Sequence, residues 1–212
     1  ARDALSSPTF EQTTGIELGG PTGINGTPNP GGLLGQVWVA IDRSTGSTAG
    51  NVYVLGSVNP PGADPLDVMF VRSVDGGATF SGPRRVHGEE PGAWQWFGTM
   101  SVAPDGRIDV VWNDTRSDPS GQVSALYYAY STDAGDTWSR GIPVTPTWNS
   151  VVGHPNQNKI GDYYHKVSDE VGAGLAYSAT FNGEQDVWFL RVGDCNANDA
   201  HDADDIALAT SD

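Results

Sequence analysis

One octet occurs twice in this chain. Ser73-Val74-Asp75-Gly76-Gly77-Ala78-Thr79-Phe80 returns as Ser131-Thr132-Asp133-Ala134-Gly135-Asp136-Thr137-Trp138. Both copies read Ser-x-Asp-x-Gly-x-Thr-aromatic, and their aspartates lie 58 positions apart. Each follows a strand-like run, Asp67–Arg72 in the first case and Ala125–Tyr130 in the second. A repeat at this period marks a stacked or radial architecture and constrains the fold more than any other feature of the chain.

Physically the octet is a self-contained hairpin turn. Asp75 and Asp133 have the reach to fold their carboxylates onto nearby backbone N–H groups. Gly77 and Gly135 permit positive φ, the Ser73, Thr79, Ser131 and Thr137 hydroxyls bond locally, and Phe80 or Trp138 plugs into the sheet below. The pattern resembles the Asp-box (BNR) repeat of sialidases and related β-propellers. That resemblance implies a propeller of antiparallel blades, in which the octet is a structural turn remote from any catalytic face.

Three similar units surround the octets. The first runs from Val37–Asp42 through Asn51–Leu55 to Asp67–Arg72 and its octet, ending near Arg84–Val86. The second runs from Gly98–Asp105 through Arg107–Trp112 to Ser124–Tyr130 and its octet, ending near Ile142–Val144. The third runs from Tyr163–Asp169 through Ala173–Tyr177 to Asp186–Val192. An aspartate closes the first strand of each unit (Asp42, Asp105, Asp169), and alternation at Val37/Val39/Ile41 and Ile108/Val110/Trp112 has the period of a strand. The expected fold is all-β: a propeller-type array of three four-stranded antiparallel blades at about 36–90, 91–150 and 151–192, the third without an obvious fourth strand. Residues 1–35, rich in Gly and Pro, read as an extended N-terminal arm, and 193–212 as a separate tail.

The composition fits short strands joined by many turns: 28 Gly, 14 Pro, seven Trp and seven Tyr in 212 residues. The formal net charge of −15 argues against nucleic acid or an anionic membrane as partner and favours divalent cations. No apolar run approaches the roughly 18 residues of a membrane span. The single Cys195 excludes an internal disulfide framework. A chain that starts at Ala1 without Met is expected here to be secreted, or else to be an excised piece.

In the tail, oxygen-bearing side chains fall at loop positions 1, 3, 5, 9 and 12: Asp194, Asn196, Asn198, Asp202 and Asp205. With the backbone carbonyl of Ala200 at position 7, this is the spacing by which a twelve-residue loop wraps calcium. The arrangement resembles the EF-hand-like loops of dockerins. It departs from them at Asp199, where a Gly is usual, and at His201, where an apolar residue is usual. A dockerin pairs two such loops, and here a second stops at Asp212.

Catalytic machinery is harder to find. The resemblance implies three carboxylate-clamping arginines, a Tyr–Glu nucleophile pair and an Asp acid/base in an active sialidase, but the Arg-Ile-Pro motif is absent. No Glu lies in a nucleophile context, and the 20 Asp residues offer too many pairs for a glycosidase assignment. The four histidines have no metal-ligand spacing. Trp96, Asp114, Arg116 and Tyr164 are the candidate ligand pocket, suited to a glycan, with Trp96 as a stacking platform. Three blades fall short of the roughly four to eight of closed propellers. The chain is therefore expected to be a non-catalytic structural or binding module that self-associates through blade edges and its N-terminal arm, closed or as a filament. The alternative is a sialidase-like glycoside hydrolase with catalytic residues partly outside this chain.

Overall fold

The computed structural model describes residues 12–88 and 92–193. A short pair, β1 (Gly23–Ile24) and β2 (Leu33–Leu34), precedes three antiparallel sheets. The first blade is β3 (Val37–Ile41), β4 (Val52–Val58), β5 (Asp67–Ser73) and β6 (Arg84–Arg85), paired in that order. The second is β7 (Gln95–Val102), β8 (Ile108–Asp114) and β9 (Val123–Ser131), with β10 (Ile142–Pro143) and β11 (Trp148–Asn149) following one another along the outer edge of β9. The third is β12 (His165–Ser168), β13 (Gly172–Ala179) and β14 (Asp186–Gly193). Among the described residues the third blade thus has three strands rather than four. No helix is long and apolar enough to cross a membrane.

The innermost strand of the second blade, β7, lies against both β3 and β12, so the blades fan around a common edge. Period-two alternation gives each blade two faces, and the side chains between neighbouring blades make the core. Tyr53, Leu55, Val68 and Phe70 of the first blade meet Val110, Trp112, Ala129 and Ala134 of the second. Val111, Leu126 and Tyr128 of the second meet Leu175, Tyr177 and Val192 of the third. Burying side chains of this size stabilises by about 1.5–3 kcal/mol each.

Three aspartates close the first hairpin of each blade in the same way. Ser44 N–H donates to Asp42 Oδ1 (2.8 Å), Arg107 N–H to Asp105 Oδ1 (3.0 Å) and Val171 N–H to Asp169 Oδ1 (3.0 Å). The two octets fold alike as well. Gly77 N–H donates to Ser73 Oγ at 2.8 Å, the Ser73 hydroxyl to Asp75 Oδ1 at 2.7 Å, and Thr79 N–H and hydroxyl to the same carboxylate at 2.9 and 2.7 Å. In the second copy the matching distances are 2.9, 2.8, 2.9 and 2.6 Å. These bonds, with no charge partner involved, hold the Asp75 carboxyl down at about 2.

The octet aromatics fill the back of their own blades. Trp138 meets Phe70 edge-on at 5.2 Å, in the seam between the first two blades. Phe80 packs with Leu18, Val54, Val58 and Val71 on the back of the first blade, where no other blade stands. Residues 12–21 cover that site themselves. Gln12 and Thr14 donate to Gly77 O, Leu18 is buried, and Pro21 O accepts from Asn59 N–H. Residues 12–21 of the N-terminal arm therefore lie across a sheet face of their own chain and add no edge strand to a blade, because Leu18 gains more from that apolar face than from solvent. Farther on, buried Asn29 reaches across to Ile160, its side-chain amide pairing with both backbone groups of that residue (3.3 and 3.1 Å). Ser150 Oγ donates to Pro28 O beside it.

The two octets differ in what lies against their glycines. Both Gly77 and Gly135 have positive φ (90° and 83°), yet a Cβ on Gly77 meets open space while one on Gly135 falls 2.3 Å from the Phe70 ring. Gly77→Ala should cost about 1 kcal/mol from backbone strain alone. Gly135→Ala should cost about 1–3 kcal/mol more through overpacking. Urea denaturation of the two variants checks this, and equal losses would contradict the interblade role of the second octet.

Candidate functional site

The four residues expected to share a pocket are divided by the fold. Trp96 is fully buried; its Nε1–H donates to Ser124 Oγ (3.0 Å) and its ring packs on Phe97 and Trp148. Tyr164 is buried in the same cluster, accepting from Asn113 Nδ2 (3.1 Å) and donating to Ser178 O (3.0 Å), and burial raises its pKa. Neither ring is free to stack on a sugar. A bulge in β7 between Trp96 and Thr99, with Phe97 at φ 53°, turns Trp96 inward. Asp114 and Arg116 do come together: Arg116 Nη2 donates to Asp114 Oδ2 at 2.6 Å, and Trp112 Nε1 shares that oxygen at 2.9 Å. Asp114 is fully buried beneath the guanidinium, which stacks 4.2 Å above the Tyr127 ring.

Arg116 belongs to a different site, a cleft of about 620 Å³ in the outer seam between the first two blades. Its walls include Arg85, His87, Arg116, Trp138 and Arg140. Arg85 is held as Arg116 is, by a buried carboxylate below it: Nη2 donates to Asp67 Oδ2 at 2.6 Å, with Asp64 at 3.5 Å. His87 Nδ1 lies 2.7 Å from Gly88 O, and Nε2 lies 3.3 Å from both Val68 N and Asp67 Oδ1. Burial alone would raise the Asp67 carboxyl, but the His87 and Arg85 contacts outweigh it and hold it below the usual range. Asp136, the carboxylate on the cleft wall, is engaged by Arg72 (2.9 Å) and Arg84 (2.7 Å). Five of the chain's arginines gather at this one seam. In the sequence Arg84–Val86 reads only as the end of the first unit; the period-two spacing of Arg85 and His87 was the usable signal that both point to one side of the chain there.

A second polar cluster joins the second blade to the third. Fully buried Asp109 on β8 accepts from Arg107 Nε (3.0 Å), the Tyr128 hydroxyl (2.7 Å) and the Ser168 hydroxyl (2.6 Å). Arg107 Nη2 continues to the carbonyls of Asp169 and Gly172 in the first turn of the third blade. Lys166, only 3% exposed, projects into this cluster from β12 with its Nζ 5.3 Å from the Tyr128 ring centroid and no hydrogen-bond partner. Burial drives its pKa down to about 7 against the opposing pull of Asp109. Burial raises the Asp109 carboxyl, but the Lys166 and Arg107 charges and the hydroxyl bonds prevail and lower it. Nothing in the sequence pattern distinguished Lys166 from a surface lysine.

The expected calcium residues Asp194, Asn196, Asn198, Ala200, Asp202 and Asp205 lie outside the described residues. Among the described residues no three His, Cys, Asp or Glu side chains converge as a metal site.

No protein-family model matches the sequence, and no curated protein does. Solved structures do match. A Hadza microbial sialidase aligns over 74% of this chain and 31% of its own, at 16% identity and TM-score 0.47. A polysaccharide lyase aligns over 77% of this chain and 39% of its own, at 15% identity and TM-score 0.46. An α-L-arabinanase of Penicillium chrysogenum, complexed with arabinobiose, aligns over 74% and 44%, at 15% identity and TM-score 0.45. The chain spans less than half the length of each.

The lowered pKa of Lys166 has a sign that solution measurements read directly. The unfolded lysine keeps its proton to about 10.5, whereas the folded one releases it near 7. Between these values the unfolded state binds more protons, so stability rises with pH. Relative to Lys166→Met, the native chain should gain about 2–4 kcal/mol from pH 7 to pH 10. Denaturant midpoints for both proteins at pH 6.5, 8 and 9.5 check this; parallel curves would mean that Lys166 is solvated.

Proposed function

We propose that this chain is a secreted, non-catalytic Asp-box propeller module that assembles with a second copy through the two open faces of its blade array. The observation that carries this reading is a pair of exposed apolar faces at opposite ends of the array. At the leading end, Val167, Val187 and Phe189 of the third blade are 60, 79 and 73% exposed. At the trailing end, Val37, Val39 and Ile41 of β3 remain in solvent beside the part of the first blade that residues 12–21 cover. Within the chain, faces of this kind are buried twice by the following blade. A second copy supplies the same chemistry with the same strand spacing. Two such head-to-tail contacts close a six-bladed ring, and contacts that fail to close give a filament.

The tail spacing Asp194, Asn196, Asn198, Ala200, Asp202, Asp205 supports calcium as the ion taken by the module. The octets Ser73–Phe80 and Ser131–Trp138 serve as structural turns in this reading, on the strength of their closed hydrogen bonding.

Native mass by light scattering, with calcium and with a chelator, tests the assembly. The expected species is a dimer or larger. Val187→Glu combined with Phe189→Glu should weaken association by at least about thirtyfold, since both side chains would sit at the centre of the contact. A wild-type chain that stays monomeric at concentrations up to the millimolar range would overturn the proposal. A panel of fluorogenic glycosides should show no turnover.

A further inference from the structure

Two asparagines in this chain are followed by glycine, in Asn25-Gly26 and Asn182-Gly183. Both asparagines are exposed, both glycines have positive φ (78° and 86°), and a Cβ on either glycine would meet open space. Their hydrogen bonding is what differs. Asn182 Nδ2 donates to Asp186 Oδ2 at 2.6 Å, and the Gly183 N–H donates to Thr180 O at 3.0 Å. Neither the Asn25 amide nor the Gly26 N–H makes a hydrogen bond among the described residues. An untethered side-chain amide beside an unshielded, unbonded backbone N–H is the pair that closes into a ring in water. From this contrast we infer that Asn25 is a site of spontaneous covalent modification, which converts it to aspartate and isoaspartate and loosens the loop between β1 and β2.

The reaction needs only water and base. The Gly26 nitrogen gives up its proton and attacks the side-chain carbonyl carbon of Asn25. The bond from that carbon to Nδ2 breaks, and ammonia leaves with a proton in place of the one removed. Water then opens the cyclic imide. Attack at the side-chain carbonyl gives aspartate, and attack at the main-chain carbonyl gives isoaspartate, whose backbone runs through the former side chain and is longer by a methylene. At Asn182 the same step would first have to break the bonds to Asp186 and from Gly183.

The backbone around Asn25 is closely packed. Ile24 pairs with Leu33, and a Cβ placed on Gly32 would fall 2.4 Å from Ile24 O and 3.1 Å from the Asn25 Cα. The loop between β1 and β2 also carries the groups that dock near the third blade: Asn29, whose side-chain amide pairs with Ile160, and Pro28, whose carbonyl accepts from Ser150 Oγ. A longer backbone at residue 25 displaces this loop and draws the Asn29 amide away from Ile160.

Peptide mapping of the whole chain after incubation at mildly alkaline pH tests this, with fragmentation spectra locating each exchange of an amide for a carboxyl group. Asn25 should convert at least about tenfold faster than Asn182, because hydrogen bonds that must open first lower the reactive fraction. In urea the two should convert at similar rates, since both precede glycine. Equal rates in the folded chain would overturn the site. A contrast that persists in urea would mean that neighbouring residues set it rather than the fold, and would overturn the assignment as well. Hydrogen exchange reads the consequence. In the incubated chain the Ile160 N–H, which donates to Asn29 Oδ1, should exchange at least about tenfold faster than in fresh protein. Asn25→Gln, which does not close the same small ring, should keep the slow exchange through the same incubation. Conversion of Asn25 with Ile160 still protected would overturn the loosening of the loop. None of these readouts depends on self-association, so the assembly proposal stands or falls separately.

Discussion

The apolar sheet faces that this protein buries are covered by another sheet or by its own chain. A blade of three or four strands has two such faces and cannot bury either alone. This requirement explains why the core is distributed between blades rather than within one. It also explains why residues 12–21, with little regular structure, are bound to the first blade by Leu18. The second octet takes part in the same economy: Gly135 and Trp138 are shaped to the Phe70 ring of the preceding blade, and Arg72 of that blade donates to Ala134 O.

Polar groups follow different rules at the two blade junctions. Between the second and third blades the Asp109 carboxylate is buried and satisfied by named donors, while the Lys166 amine beside it has no hydrogen-bond partner. That amine tolerates burial because it gives up its proton near neutrality. Between the first and second blades Asp67 and Asp114 are buried while the guanidiniums above them stay at the surface. The first arrangement is a rigid joint. The second presents charge to solvent.

What the sequence revealed depended on how far apart the partners lie. The Asp42, Asp105 and Asp169 turns bond within two residues, and each octet bonds within four, so residue order alone announces them. The blade repeat was readable for the same reason, since all strand pairing stays within one unit. Side chains set by more distant partners left no such trace. Trp96 looked like a stacking platform because nothing local predicts the bulge that turns it inward. Nothing in the residue order marked Arg85, because its partner Asp67 belongs to the neighbouring strand. The fourth strand of the third blade was not evident in the sequence, and the described residues supply none.

Asn29 gives the array a temporal order. Its amide partners at Ile160 lie 131 residues away in sequence, while almost every other backbone bond is made within a blade. During synthesis the segment around Asn29 leaves the ribosome early, and it stays hydrated until the chain has passed the second blade and reached the approach to the third. Its docking is then a late event that follows blade stacking, because loop closure over that distance is repaid only when both ends are already fixed. The loop between β1 and β2 acts as a clasp, and its ordering registers that the chain has passed the second blade.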